Sequence, residues 1–258
     1  MLPAETLLWG FALPAILVVC SVLLLRVNSW LQALACALAA ACAQWAHFAE
    51  LAPLTATPHS SRDWLWMLAA LGALLGIASK PVYLAALPGP AAVVVLSLRL
   101  EPSQWPVWER AIAALLTVLV LLGATRTQSA ARCAPAWVLL LATASASLIL
   151  AHSVTLALYA AGFAGALGLV ALGQFRRPQH ELTRPLRAGL AALLIALVLC
   201  GWLYADLSRT SALCLLGGLL ALGWQSFWPR TLLVGLLCAA SLAPGLLERL
   251  STAPNPYR

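Results

Sequence analysis

Charge is what this chain has least of: 15 Lys and Arg and 8 Asp and Glu among 258 residues, of which 63% are hydrophobic. A water-soluble globule of that length needs more polar surface than this to cover itself, so that class is excluded. Lysine is scarcer still, with Lys80 alone beside 14 arginines. That bias, with the richness in Ala and Leu, points to a GC-rich bacterial source and hence to an inner membrane. No Asp, Glu, Lys or Arg falls near the centre of a long apolar run, which argues against a carboxylate-driven proton pump. No Cys-x-x-Cys pair and no His-Glu-x-x-His spacing occurs, and no deep histidine pairs suit haem, so neither a metal nor a cofactor is expected.

What the chain has in quantity is apolar length. Segments bounded by polar or Pro-rich residues run Leu7–Leu25, Leu31–Leu51, Trp64–Ala78, Val82–Leu98, Val107–Thr125, Pro135–Ala151, Val154–Gln174, Leu186–Ala205, Thr210–Phe227 and Arg230–Leu247. A membrane span needs about 20 apolar residues, so ten spans use about 200 and leave only short loops. Two boundaries are thin, Ser79-Lys80-Pro81 and His152-Ser153. Without a turn at the second, about 40 residues of helix would reach about 60 Å, twice the hydrocarbon thickness. The expected fold is all-α: a polytopic transmembrane helical bundle of about ten spans, eight at least, forming a single integral membrane domain over residues 1–258.

The charges test that count. With ten spans, the face opposite the termini receives Arg26, Lys80, Arg126, Arg132, Arg176, Arg177, Arg184, Arg187 and Arg230 against Glu181, a net of +8. The terminal face receives six arginines against seven acids, a net of −1. Merging the third and fourth segments scrambles both regularities. Basic loops face the cytoplasm, so both termini are expected outside it. Glu5 precedes the first apolar core and Arg26 follows it, the reverse of a cleavable signal, so Leu7–Leu25 reads as a retained span. The net +7 belongs to the cytoplasmic loops and calls for no nucleic acid. Arg176, Arg177, Arg184 and Arg187 are expected against anionic lipid head groups.

Most of the remaining singular residues have structural readings. The seven cysteines lie in or beside apolar runs and read as small buried hydrophobes. Most of the eleven tryptophans map to segment ends, where indoles form interfacial belts. Gly72-x-x-x-Gly76 and the run Gly162, Gly165, Gly168 mark faces where helix backbones approach closely.

Two features are candidate sites. Pro88-Gly89-Pro90 sits in the middle of the fourth segment, where two missing amide donors and a free glycine should break the helix. Discontinuous helices at mid-membrane expose backbone groups to substrates in secondary transporters. The second is a polar cluster on the outer face: His47 and Glu50 at i,i+3, His59 and Asp63 in the next loop, and His152 at another outward turn. Such a set suits acid/base or metal chemistry, although no fixed spacing locks it.

Three functions follow in order. The first is a non-catalytic membrane subunit or scaffold with membrane-protein partners. The second, nearly level with it, is a permease-like transporter of a small molecule or lipid using the broken fourth span. The third is a membrane enzyme with the outer His and acid site.

Overall fold

The structure, a computed structural model, describes residues 12–23, 29–48, 64–77, 84, 86–98, 100, 105–126, 134–176, 182–223 and 227–252. Among them are ten helices and no strand: α1 Leu13–Leu23, α2 Ser29–Phe48, α3 Trp64–Ile77, α4 Pro88–Ser97, α5 Val107–Arg126, α6 Ala134–Leu150, α7 Val154–Arg176, α8 Arg184–Tyr204, α9 Arg209–Ala221 and α10 Phe227–Thr252. Each of the ten apolar segments carries the greater part of one helix. Four of these, over Val107–Thr125, Val154–Gln174, Arg184–Tyr204 and Thr231–Arg249, are long and apolar enough to cross a membrane.

The bundle is built around α8. Of its apolar stretch 89% is buried, against 17% for α10, and it packs against α2, α3, α4, α5, α6, α7 and α9. Small residues make that position available. A Cβ at residue 72 would lie 2.7 Å from the Ala192 Cβ and 2.8 Å from the Ala188 carbonyl oxygen, and one at residue 76 would lie 2.7 Å from the Pro185 Cα. The Gly72-x-x-x-Gly76 face thus seats α3 directly on the backbone of α8, as close approach requires. The glycines of α7 behave differently. A Cβ at Gly165 or Gly168 would meet nothing within 4 Å, and Gly165 is exposed. The narrow side of α7 therefore finds no helix among the described residues at those two positions.

Polar side chains inside the bundle satisfy themselves locally or staple helices together. The hydroxyls of Thr117, Thr125 and Thr143 donate to carbonyls three or four residues back, the usual outlet inside an apolar helix. The Tyr159 hydroxyl donates to the Ala40 carbonyl at 2.6 Å, tying α7 to α2. The Tyr204 hydroxyl donates to Leu96 at 2.6 Å, tying the end of α8 to the end of α4. At the other end of α8, Gln32 Oε1 accepts from the hydroxyl of Thr183 at 2.6 Å and from its amide at 3.2 Å.

Two tryptophans and one arginine are more buried than their positions in the sequence suggest. Trp105 and Trp137 are each 1% exposed, so they serve as core rather than as an interfacial belt. Trp105 packs edge-on against Trp202 at 5.7 Å and 75°, a favourable aromatic geometry that holds the start of α5 to the end of α8. Arg187 is buried, because the central helix that carries it is covered on all sides. Arg184 is half-buried, and Arg177 and the side chain of Arg176 lie outside the described residues.

Candidate functional site

The two candidate sites meet the structure differently. His47 lies in the last turn of α2, its side chain outside the described residues, as are Glu50, His59 and Asp63 altogether. His152 is exposed and forms the turn between α6 and α7 in the left-handed region, with φ 59°. The Ser153 amide donates to Leu148 at 2.9 Å and the His152 amide to Ile149 at 3.1 Å, the Schellman pattern that caps a helix C-terminus. His152 therefore has a backbone task of its own. The Tyr159 to Ala40 bond joins the first turns of α7 to the second half of α2, which puts the His47 end of α2 at the His152 end of the bundle. Among the described residues no group of three or more His, Cys, Asp and Glu is placed to hold a metal ion.

Pro88-Gly89-Pro90 is a helix start rather than a helix interior. Residues 84, 86 and 87 form a tight turn, closed by the Leu87 amide on the Leu84 carbonyl at 3.2 Å, and α4 begins at Pro88. A proline at the first positions of a helix removes only amides that have no intrahelical acceptor, and its fixed φ suits the first turn. Gly89 does not leave the helical region, since no described glycine has positive φ. Its role is steric. A Cβ at residue 89 would lie 2.8 Å from both Cβ and Oγ1 of Thr117. With 10 residues, α4 rises only about 15 Å, half the hydrocarbon thickness.

Thr117 also forms the floor of a described cleft. A slot of about 230 Å³ opens between α5, α8 and α9. Along α5 it runs from Trp108 to Thr117, about 14 Å at helical rise. Ile112, Leu116, Leu213 and Leu216 make its walls apolar, while Glu109 and Arg209 stand at its mouth as the only charged lining residues among the described ones. They are paired at 3.5 Å, and their exposures are unequal: 13% for the Glu109 side chain and 72% for Arg209.

Local sequence fixes that mouth. The guanidinium of Arg110 donates to the Trp105 carbonyl at 2.8 Å and the Leu100 carbonyl at 3.0 Å, and lies 5.9 Å from the Trp105 ring centroid. It is thus turned away from the slot and pins the entry to α5. At α9 the Ser208 hydroxyl accepts from the Ser211 amide at 3.1 Å, an N-cap that starts the helix at Arg209. Nothing in the sequence marks Glu109 and Arg209 as a pair, because they meet across about a hundred residues by the packing of α5 on α9.

A second, polar pocket lies on the opposite side of the α9 start, lined by Ser147, Ser208, Ser211, Ser241, Asp206 and Glu248 among others. Its hydroxyls are spent within the protein: Ser211 donates to the Ser241 carbonyl at 2.6 Å and Ser241 to Cys238 at 2.8 Å. At about 40 Å³ it has room for only a few waters, each needing about 10–15 Å³. Of the two, the slot is the one with space for a solute. No family model, no curated protein and no solved structure matches this chain.

Proposed function

We propose that the chain is a ten-span inner-membrane protein with both termini outside the cytoplasm, acting as a permease-like carrier that takes an amphiphilic small molecule from the outer leaflet through the slot. The charge partition of the ten segments supports the topology. The single observation that carries the carrier reading is the stacking of Gly89 on Thr117 behind the slot. It joins an apolar cleft to a helix that starts at mid-segment, the arrangement used where a carrier must expose a site between two faces.

Transport by the full chain in proteoliposomes tests this reading. Uptake of decyl-chain probes with cationic, neutral and anionic heads is compared for the wild type and for Leu213→Trp, which fills the slot from α9. Protein-dependent uptake of one head class, reduced at least tenfold by L213W, is expected. Uptake of no probe above protein-free liposomes would remove the carrier reading.

The scaffold reading is favoured by a separate observation. Along α10, Leu232, Leu236 and Leu247 are each exposed, a face for lipid or for a partner's helix. A stoichiometric partner retained in mild detergent and lost on Leu236→Lys would favour it.

A further inference from the structure

The slot joins an apolar lining, open along its side at Ile112 and Leu213, to a largely covered carboxylate and an exposed guanidinium. We infer that it binds hydrophobic cations, a quaternary or primary ammonium on an alkyl or aryl body, with Glu109 as the counter-ion. This rests on the carrier reading for its biological use, but not for binding itself.

The asymmetry of the ion pair carries the inference. Glu109, 13% exposed, sits against the apolar lining, whereas Arg209, 72% exposed, reaches it from the rim. An amphiphile whose tail lies along the apolar lining places its head at the Glu109 end. If that head is an ammonium, it replaces Arg209 and the carboxylate stays paired. If it is a phosphate or sulfate, it meets the carboxylate first, and like charges repel. A neutral head leaves the pair as it stands.

Arg209 is a weak competitor for its own partner. Pairs with one member largely in solvent are bound loosely. Arg209 also occupies the first position of α9, where the helix macrodipole disfavours a base. Arg110, the neighbouring base, is committed to the Leu100 and Trp105 carbonyls. Two indoles complete the site: Trp108 at the mouth is 62% exposed, and Trp202 lines the wall, held by its contact with Trp105. Aromatic rings beside a carboxylate favour alkylammonium heads over other cations.

The opposing prediction comes from the same residues. The starts of α5 and α9 both lie at the mouth, and helix N-termini with Arg209 would suit an anionic head if Glu109 served only to complement the α5 dipole. The two variants that break the pair separate these alternatives. Glu109→Gln and Arg209→Gln remove the same ion pair, so any general effect of its loss is common to both.

The experiment is equilibrium binding to the purified full chain in a non-ionic detergent, followed by tryptophan fluorescence. Decyltrimethylammonium, decyl sulfate and decanol serve as probes, each below its critical micelle concentration. Saturable binding of the cation is expected, at least tenfold tighter than of the sulfate or the alcohol. E109Q should weaken cation binding at least tenfold and R209Q should tighten it or leave it unchanged. Tighter binding of decyl sulfate, equal binding of all three, or equal loss in both variants would overturn the inference. Cation binding with these shifts but without transport would leave the site standing and remove the carrier reading. Transport of another head class with no cation binding would do the reverse.

Discussion

Gly89 and Thr117 touch with no side chain between them: a Cβ at residue 89 would lie 2.8 Å from Thr117 Cβ and Oγ1, and 3.0 Å from its carbonyl carbon. The start of α4 and the floor of the slot are therefore one contact. Gly89→Ala must displace α4 or α5, and overpacking of this kind costs about 1–3 kcal/mol. Thermal unfolding in one detergent should show that loss. Combining it with Thr117→Gly should lose less than the sum of the two, with a coupling above about 0.5 kcal/mol. Strict additivity would mean that the two residues do not meet.

Two glycines offer opposite outcomes for substitutions of the same kind. At residue 72 a Cβ would press on Ala192 and on the Ala188 backbone, whereas at residue 165 it would meet nothing within 4 Å. Gly72→Ala should lower the melting temperature. Gly165→Ala should hold or raise it, since Ala exceeds Gly in helix propensity by up to about 1 kcal/mol. The reverse order would displace α3 from its seat on α8.

The turn at residue 152 separates backbone from imidazole chemistry. With φ 59°, His152 holds a conformation that glycine adopts freely and β-branched residues resist, at about 1–2 kcal/mol. His152→Gly should be as stable as the wild type or more so, and His152→Val less stable. If H152G retains full activity in whatever assay the protein proves to support, the outer histidine site loses this member.

These contrasts also show what can be read before folding. Apolar length places the ten helices of the described residues, and the His152-Ser153 turn follows from the reach of a helix alone, while Ser79-Lys80-Pro81 lies outside the described residues. Gly72 and Gly76 were legible because a single small face on one helix implies a close neighbour. Gly165 and Gly168 carry the same pattern, yet which face of α7 meets a helix depends on the packing order. Trp105 and Trp137 read as belt residues by position, but the folds of α5 on α8 and of α6 within the bundle bury them. The slot was not legible at all. Its mouth joins Glu109 to Arg209, and its floor joins Thr117 to Gly89, contacts that exist only once α4, α5 and α9 are assembled.

Topology has its own test. The partition of +8 against −1 between the two faces supports the proposed orientation, with residues 176–187 in the cytoplasm and both termini outside it. A reporter active only outside the cytoplasm should work when fused after Arg258 and fail when inserted at residue 179. The opposite result would defeat the ten-span orientation and put the slot mouth on the inner face.

The most direct measurement is to ask where an amphiphile sits. A decyltrimethylammonium analogue carrying a diazirine at mid-chain, photolysed with the full-length protein in liposomes, labels whatever lines its binding site. Labelled peptides are expected to cluster on residues 108–117 of α5 and 209–216 of α9, and Leu213→Trp to remove the label from both. Label spread along the exposed face of α10, at Leu232, Leu236 and Leu247, and unchanged by L213W, would show an ordinary lipid-facing surface and contradict binding in the slot.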